Sequence, residues 1–469
     1  MAEEDEQSAA DRIAAGHAAL ERGEWSRAAE LLRGGLRAGD DAAALEALGW
    51  AAWWLADESE TFAARERAFR LYRDAGDEVA AGRVATWLAA DFREYRGEAG
   101  IGRGWLERAH RLLDSHPESV EHGWLAAIDA DFALNVEFDL GAVAALAREA
   151  AEVGRRRAVP DLEAVGLSLE GLALVCGGDV DGGMRLLEEA AAIVTAEEIA
   201  LPLAAGWSLC CVLSACDGVG DFGRAEQWCA AIRRFTDRWG GRQLVGVCRT
   251  SYGRILATRG QWAEAEGELA AAIRDIDDAR PGMAGTGLAR LGELRARQGR
   301  PEEARELFDQ AGPAGLVGLG ELALESGDAA AAADCAERVL RRLPEGALLD
   351  RLAPLQLLTR GRIALGELEE AERQVESVER TAEALGTAYL CGHADLLRAE
   401  LAAARADHEG ARRACEDAID RFADASAVYE GARARERLAL ALAALGRDEQ
   451  AEREVEAARL TLEQLGARP

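Results

Sequence analysis

One short corner recurs along the chain and limits what it can fold into. At Gly260-Gln261-Trp262-Ala263-Glu264-Ala265, a glycine is followed by an aromatic two residues on and a small residue five on. The same spacing appears at Gly23-Glu24-Trp25 leading to Ala28 and at Gly220-Asp221-Phe222 leading to Ala225. At Gly366, leading to Ala371, Leu368 takes the aromatic's place. Glycine supplies the left-handed backbone that ends a helix. The small residue lets the following helix pack closely against it. Each corner therefore predicts a helical hairpin.

Glycine corners fall at 23, 97, 178, 220, 260, 299, 327, 366 and 446, and corners without glycine are interpolated at Asp57, Glu137 and Ala406. The spacings are then 34, 40, 40, 41, 42, 40, 39, 28, 39, 40 and 40 residues. Twelve corners at a period near 40 mean about twelve two-helix units. Five residues after every glycine corner stands a small residue: Ala28, Gly102, Gly183, Ala225, Ala265, Ala304, Ala332, Ala371 or Ala451. Apolar residues one turn later, such as Leu32, Leu187, Leu269 and Phe308, fill the remaining space. Composition agrees, because 49% of residues are hydrophobic while only 5% are aromatic and β-branched runs are scarce. The expected organisation is an acidic tail over 1–10, a Trp-rich array over 11–312 and a continuing array over 313–469. The 28-residue unit between Gly299 and Gly327 contains Pro313, which predicts a kink or seam.

The pattern Gly-x-aromatic-x-x-Ala, with Leu291-Gly292 ahead of Gly299, resembles the tetratricopeptide repeat. The fold class that follows is all-α, a right-handed superhelical solenoid of about twelve tetratricopeptide-like hairpins. A narrower likeness lies in Gly49-Trp50-Ala51-Ala52-Trp53-Trp54-Leu55, in the stretch from Gly82 to Asp91, and in Cys248-Arg249-Thr250-Ser251-Tyr252. These resemble the repeat region of large actinobacterial LuxR-type regulators of the maltose-regulator kind. That resemblance implies a setting in transcriptional control. In those regulators a DNA-binding helix-turn-helix follows the repeats, whereas here no basic recognition helix follows Leu465-Gly466. Direct nucleic-acid binding by this chain is not expected.

Charge supports that exclusion. The formal net charge is -30, whereas phosphate-backbone binding needs positive charge. The chain has no Lys, so all 55 basic residues are Arg, and Schiff-base lysines and the Walker phosphate loop are impossible. The six His are scattered, and His116 and His122 are separated by Pro117, so no metal site is expected. No H-E-x-x-H, G-x-S-x-G or G-x-G-x-x-G occurs, and neither an enzymatic activity nor a cofactor is expected. Six of the nine Cys (176, 210, 211, 216, 229 and 248) sit among apolar neighbours and are expected to be buried thiols. With an acidic N-terminus and no membrane-spanning run expected, the cytoplasm is the expected compartment.

The function expected of such an array is recognition in the concave groove, lined by the first helix of each unit. Residues about ten, six and two before each corner should face inward. Before Gly97 these are Trp87, Asp91 and Tyr95; before the interpolated Glu137 they include Asp131 and Asn135; before Gly260 they include Thr250 and Arg254. Aromatics with hydrogen-bonding neighbours suit a peptide, protein segment or small effector. The expected role is a non-catalytic scaffold or sensor. The competing expectation is a LuxR-type DNA-binding regulator, or its sensor portion.

Overall fold

Each corner forms because a helix end leaves carbonyls unpaired, and a single left-handed residue lets following N–H groups reach back to them. The computed structural model describes residues 2–196, 199–239, 242–277 and 284–467. Among these, twenty-four α-helices pair into twelve hairpins. In chain order the pairs are α1 (Ala2–Glu21) with α2 (Trp25–Gly35), α3 (Ala42–Trp54) with α4 (Glu58–Asp74), α5 (Glu78–Arg96) with α6 (Ala99–Leu113) and α7 (Val120–Phe132) with α8 (Leu140–Arg157). Then come α9 (Pro160–Gly177) with α10 (Val180–Thr195), α11 (Pro202–Val219) with α12 (Phe222–Trp239), α13 (Arg242–Thr258) with α14 (Trp262–Asp277) and α15 (Gly285–Arg297) with α16 (Pro301–Ala311). Last are α17 (Leu316–Glu325) with α18 (Ala329–Leu340), α19 (Leu348–Leu365) with α20 (Leu368–Leu385), α21 (Ala388–Ala404) with α22 (His408–Asp424) and α23 (Val428–Ala444) with α24 (Asp448–Leu465). The array is an all-α, right-handed solenoid of tetratricopeptide-like hairpins.

All nine glycine corners have positive φ, from +67° at Gly97 to +104° at Gly178. In ten of the twelve hairpins the N–H just after the corner donates to the carbonyl five residues back, as Gln261 does to Leu256. At Glu98 and Asp139 it reaches six back, to Phe92 and Ala133. At the three corners without glycine the left-handed residue is Ala56, Phe138 or Ala406. The interpolated Asp57 and Glu137 are therefore each one residue off. At the second, a π-helical turn, Ala133–Glu137, follows α7 and adds a residue before the corner. The small residues after the glycine corners are buried, and a Cβ on Gly102 would lie 2.8 Å from the Ala89 carbonyl oxygen and from Phe132. In the short unit a 3₁₀ turn, Gly312–Gly315, replaces a connecting loop, and the flanking α16 and α17 have only 11 and 10 residues.

The superhelix turns once in about five hairpins, so corners pack against the next turn. Trp25 of the first hairpin donates its Nε1–H to the carbonyl of Trp239 in the sixth at 3.0 Å. Phe222 of the sixth meets Tyr389 of the eleventh edge-on, with ring centroids 5.2 Å apart. Trp262 of the seventh meets Tyr429 of the twelfth at 5.7 Å. The aromatic of the recurring corner is thus the contact between successive turns. Glycine makes room for it, since a Cβ on Gly220 would lie 2.5 Å from Tyr389 and one on Gly260 would lie 2.6 Å from Leu465.

Two sequence expectations need correction. The uncharged run from Ile199 to Cys216 is 18 residues long, and α11 is long and apolar enough to cross a membrane by length and composition. In this fold 78% of that helix is buried, because neighbouring helices surround it. Of the six clustered cysteines, Cys176, Cys211, Cys216 and Cys229 are buried thiols, but Cys210 and Cys248 form a disulfide between α11 and α13 with Cα atoms 5.3 Å apart. The expectation that these two are thiols fails because adjacent first helices bring the two positions together.

Two outcomes check this description. Alkylation under denaturing, non-reducing conditions is expected to label seven cysteines, and nine after reduction. Gly97→Ala, where a Cβ meets nothing within 4 Å, is expected to cost about 1–2 kcal/mol of strain in urea unfolding. Gly220→Ala is expected to cost more, by about 1–3 kcal/mol of added overlap with Tyr389.

Candidate functional site

The inner faces of the first helices converge on the superhelix axis, and they enclose two chambers of different chemistry. In the N-terminal turn, α3, α5, α7, α9 and α11 surround a cavity of about 170 Å³. Its walls are Trp53, Trp87, Trp207, Leu169 and Leu203, and one end is polar, with Arg93, Glu94, Asp131, Asn135 and Ser214. In the C-terminal turn, α15, α17, α19, α21 and α23 surround a cavity of about 310 Å³. It shares Arg297, Glu325, Arg360, Glu400, Tyr429, Arg433 and Arg437 with a larger groove of about 1300 Å³ that extends over α24.

Three of the seven residues expected in the groove meet in the N-terminal chamber. Trp87 packs edge-on against Trp50, with ring centroids 4.8 Å apart, and presents its other side to the cavity. Asp131 is ion-paired with Arg93 and accepts a hydrogen bond from Asn135 Nδ2 at 2.8 Å. Asn135 sits on the π-helical turn and also donates to the Asp131 carbonyl at 3.0 Å. Burial pushes the Asp131 carboxyl above its ordinary range, against the pull of Arg93.

The other four lie outside it. Asp91 is wholly buried and accepts from Arg65 Nη1 at 2.6 Å. Arg65 lies 4.5 Å over the Trp50 ring, and Gly49 makes room for it, since a Cβ there would be 2.7 Å from Arg65 Cγ. Tyr95 is buried against Phe62, and its hydroxyl donates to the Trp53 carbonyl at 3.4 Å. Thr250 is buried on α13 and donates to the Gly246 carbonyl at 3.1 Å. Arg254, also on α13, donates from Nε to Asp217 Oδ1 at 2.5 Å. Burial opposes the charge of Arg254, but the Asp217 carboxylate outweighs it and holds the guanidinium above its usual pKa.

The C-terminal chamber went unnamed in the sequence, although the same count reaches it. Six and two before Gly299 are Glu293 and Arg297; before Gly327, Glu321 and Glu325; and ten and six before Gly366 are Gln356 and Arg360. Arg360 bridges Glu321 at 2.6 Å and Glu400 at 3.3 Å, and Arg437 joins Glu400 at 3.4 Å. This network crosses four consecutive first helices. Arg297 pairs with Glu430 at 2.7 Å. Burial pushes Glu321 up despite Arg360. It pushes Glu293 up as well, yet Arg290, Arg297 and Arg254 together hold that carboxylate below its usual range. His393 is held neutral, its pKa lowered to about 4 by burial and by Arg297, Arg254 and Arg360, against the pull of Glu430. Among the described residues, no group of three or more His, Cys, Asp or Glu side chains is placed to hold a metal ion.

No protein-family model matches the chain, and no curated protein matches it. Among solved structures it is similar to a Rap protein complexed with Competence and Sporulation Factor, at 12% identity over 83% of this chain and 99% of that one, with a TM-score of 0.45. It is similar to the APC/C hetero-tetramer Cut9–Hcn1, at 11% identity over 96% and 94%, TM-score 0.38. It is also similar to the apo form of the quorum sensor NprR from B. thuringiensis, at 12% identity over 84% and 99%, TM-score 0.37. At such low TM-scores the likenesses decide nothing about what the chambers hold, which has to be read from their own side chains.

Two measurements test the assigned roles. Asp91→Ala strands the buried Arg65 and is expected to cost about 3–5 kcal/mol, whereas Arg65→Met with Asp91→Leu costs far less. For His393 the native pKa lies below the unfolded value, so the unfolded chain takes up the proton first as pH falls. Stability is therefore lost between about pH 6.5 and 4, and His393→Gln is expected to flatten that part of the unfolding profile relative to the parent.

Proposed function

We propose that the chain is a non-catalytic recognition scaffold whose C-terminal groove holds a peptide or a segment of a partner protein. The observation that carries this reading is the groove's size and lining. At about 1300 Å³ it exceeds the roughly 300–1,000 Å³ of small-molecule sites. Leu440 on α23 is 65% exposed and Val455 on α24 is 53% exposed, and both line it. Unpartnered apolar side chains beside ordered charges are what a peptide interface needs: apolar anchors for affinity and paired polar groups for register. Arg433 and Arg437 can donate to main-chain carbonyls or carboxylates of the segment. Glu325 and Glu400 can accept from its N–H groups or basic side chains.

The resemblance of the N-terminal stretches to LuxR-type repeat regions supports a place in transcriptional control, exerted through the bound partner. The charge of -30 argues against contact with DNA by residues 1–469. The reading places the chain in the cytoplasm, where the Cys210–Cys248 bond would be exceptional.

Affinity capture with the full chain tests the proposal. The parent and a convex-surface control such as Glu369→Gln are expected to retain the same partner, while Leu440→Asp with Val455→Asp loses it. Capture that ignores the groove variant, or DNA binding by the full chain in a gel shift at physiological salt, would sink the reading.

A further inference from the structure

The C-terminal chamber keeps polar groups that hairpin packing does not use. Glu430 on α23 is only 5% exposed, and its Oε1 accepts from Arg297 at 2.7 Å. Its Oε2 is buried and has no hydrogen-bond partner. Folded proteins rarely leave a buried oxygen unpaired, because the lost hydration is not recovered. His393 on α21 makes ring contacts alone, edge-on to Tyr389 at 4.7 Å and to Phe422 at 5.0 Å. Among the described residues, neither its imidazole nor the Gln356 amide on α19 has a hydrogen-bond partner, and both line the chamber with Glu430. Apolar side chains, Phe308, Val317, Leu322 and Leu396, lie between these groups. Phe308 is seated against Gly292, where a Cβ would lie 2.6 Å from its ring.

The chamber disfavours charge of either sign. Burial holds His393 neutral, with Arg297, Arg254 and Arg360 adding to it, although Glu430 pulls the other way. The same forces act on a cation placed beside it. Burial also pushes the Glu321 carboxyl above its ordinary range, and a ligand carboxylate would meet that penalty too. Arg297 and Arg360 cannot freely offset it, because they already hold Glu430, Glu321 and Glu400. A neutral group with a donor is what remains. The volume, about 310 Å³, is about twice the roughly 150 Å³ that admits a benzene ring, so a substituted ring fits. A carboxamide arm would leave much of that space empty, and a plain hydrocarbon ring would leave Glu430 Oε2 unpaired. An indole would serve Glu430 but offer no acceptor to His393 or Gln356.

We propose that this chamber is a side pocket of the peptide groove and takes a tyrosine side chain of the bound segment. The phenol O–H donates to Glu430 Oε2, and the phenol oxygen accepts from the His393 imidazole or the Gln356 amide. Tyr429, Arg433 and Arg437 border both chamber and groove, so the side chain enters from a backbone lying in the groove. That the phenol belongs to a peptide rests on the groove reading, whereas the chamber's affinity for a phenol does not.

The probe is p-cresol, titrated into the full chain by calorimetry and thermal melting. Expected are saturable binding at millimolar concentration and a raised melting temperature. Toluene, which lacks the hydroxyl, and 4-methylanisole, which accepts but cannot donate, are expected to bind at least tenfold more weakly, and benzylammonium and benzoate not at all. Glu430→Gln is expected to weaken p-cresol binding tenfold or more, and Ser214→Leu in the N-terminal chamber to leave it unchanged. Circular dichroism checks that each variant folds. If Glu430→Gln does not, Gln356→Trp carries the test, since it breaks no hydrogen bond within the protein and fills the chamber. No saturable binding, equal binding of toluene or 4-methylanisole, tighter binding of either ion, or indifference to Gln356→Trp would overturn the proposal, even where partner capture through Leu440 and Val455 stands. Saturating p-cresol is also expected to reduce that capture. Saturable p-cresol binding that leaves capture undiminished would overturn the assignment to a peptide tyrosine.

Discussion

The structure depends on one backbone event repeated twelve times: a single left-handed residue that ends a helix and returns the chain antiparallel. The N–H just after the corner reaches a carbonyl five or six residues back, so the corner fixes the angle between the two helices. A near-constant unit length then fixes the rotation between units, and about five units complete a turn. At Gly23, Gly220 and Gly260 glycine meets two demands at once. It takes positive φ, and it leaves space for Trp239, Tyr389 and Leu465 from the next turn. Alanine at Ala56 and Ala406 takes the same backbone at a cost of about 1–2 kcal/mol each. The buried hairpin cores offset it.

Because each hairpin buries its small and apolar residues against its neighbours, the axis-facing positions are left free of packing duty. The two turns use that freedom differently. The N-terminal turn fills it with indoles and a small polar end, and the C-terminal turn with arginines and glutamates. The charged lining is tolerable because its pairs run between helices. Arg360 ties α17 to α19 and α21, so the network that makes the chamber polar also joins successive units.

The corner glycines and the buried small residues could be read from spacing alone, since both are local consequences of helix ends and close helix packing. The inner wall was only half legible. Counting back from a corner gives a face of a helix but not what fills the space before it. Trp87 and Asp91 lie on one stripe, yet Arg65 from α4 reaches under Asp91 and seals it, while Trp87 still borders the cavity. The π turn after α7 was invisible because its residues have no distinctive pattern, and it displaced the interpolated corner from Glu137 to Phe138. The Cys210–Cys248 pair was hidden for another reason. Their separation of 38 residues is nearly one repeat, which places them on adjacent first helices, but an apolar setting reads equally as two buried thiols.

The contrast between the two buried ion-pair settings sharpens what charge does in this fold. Arg65 and Asp91 keep 2% and 0% of their side-chain surface, so both ions lose nearly all hydration. Their attraction does little more than recover that loss, and a well-packed apolar pair would serve stability as well. What the pair supplies is position, since the hydrogen bond from Arg65 Nη1 to Asp91 holds the guanidinium over Trp50. It thereby fixes the indole on which Trp87 leans. In the C-terminal turn Arg360 and Arg437 keep 28% and 37% of theirs, so their dehydration is partial and part of each guanidinium still faces the groove. A dry pair therefore helps set the wall of the N-terminal chamber, and partly exposed pairs line the C-terminal groove.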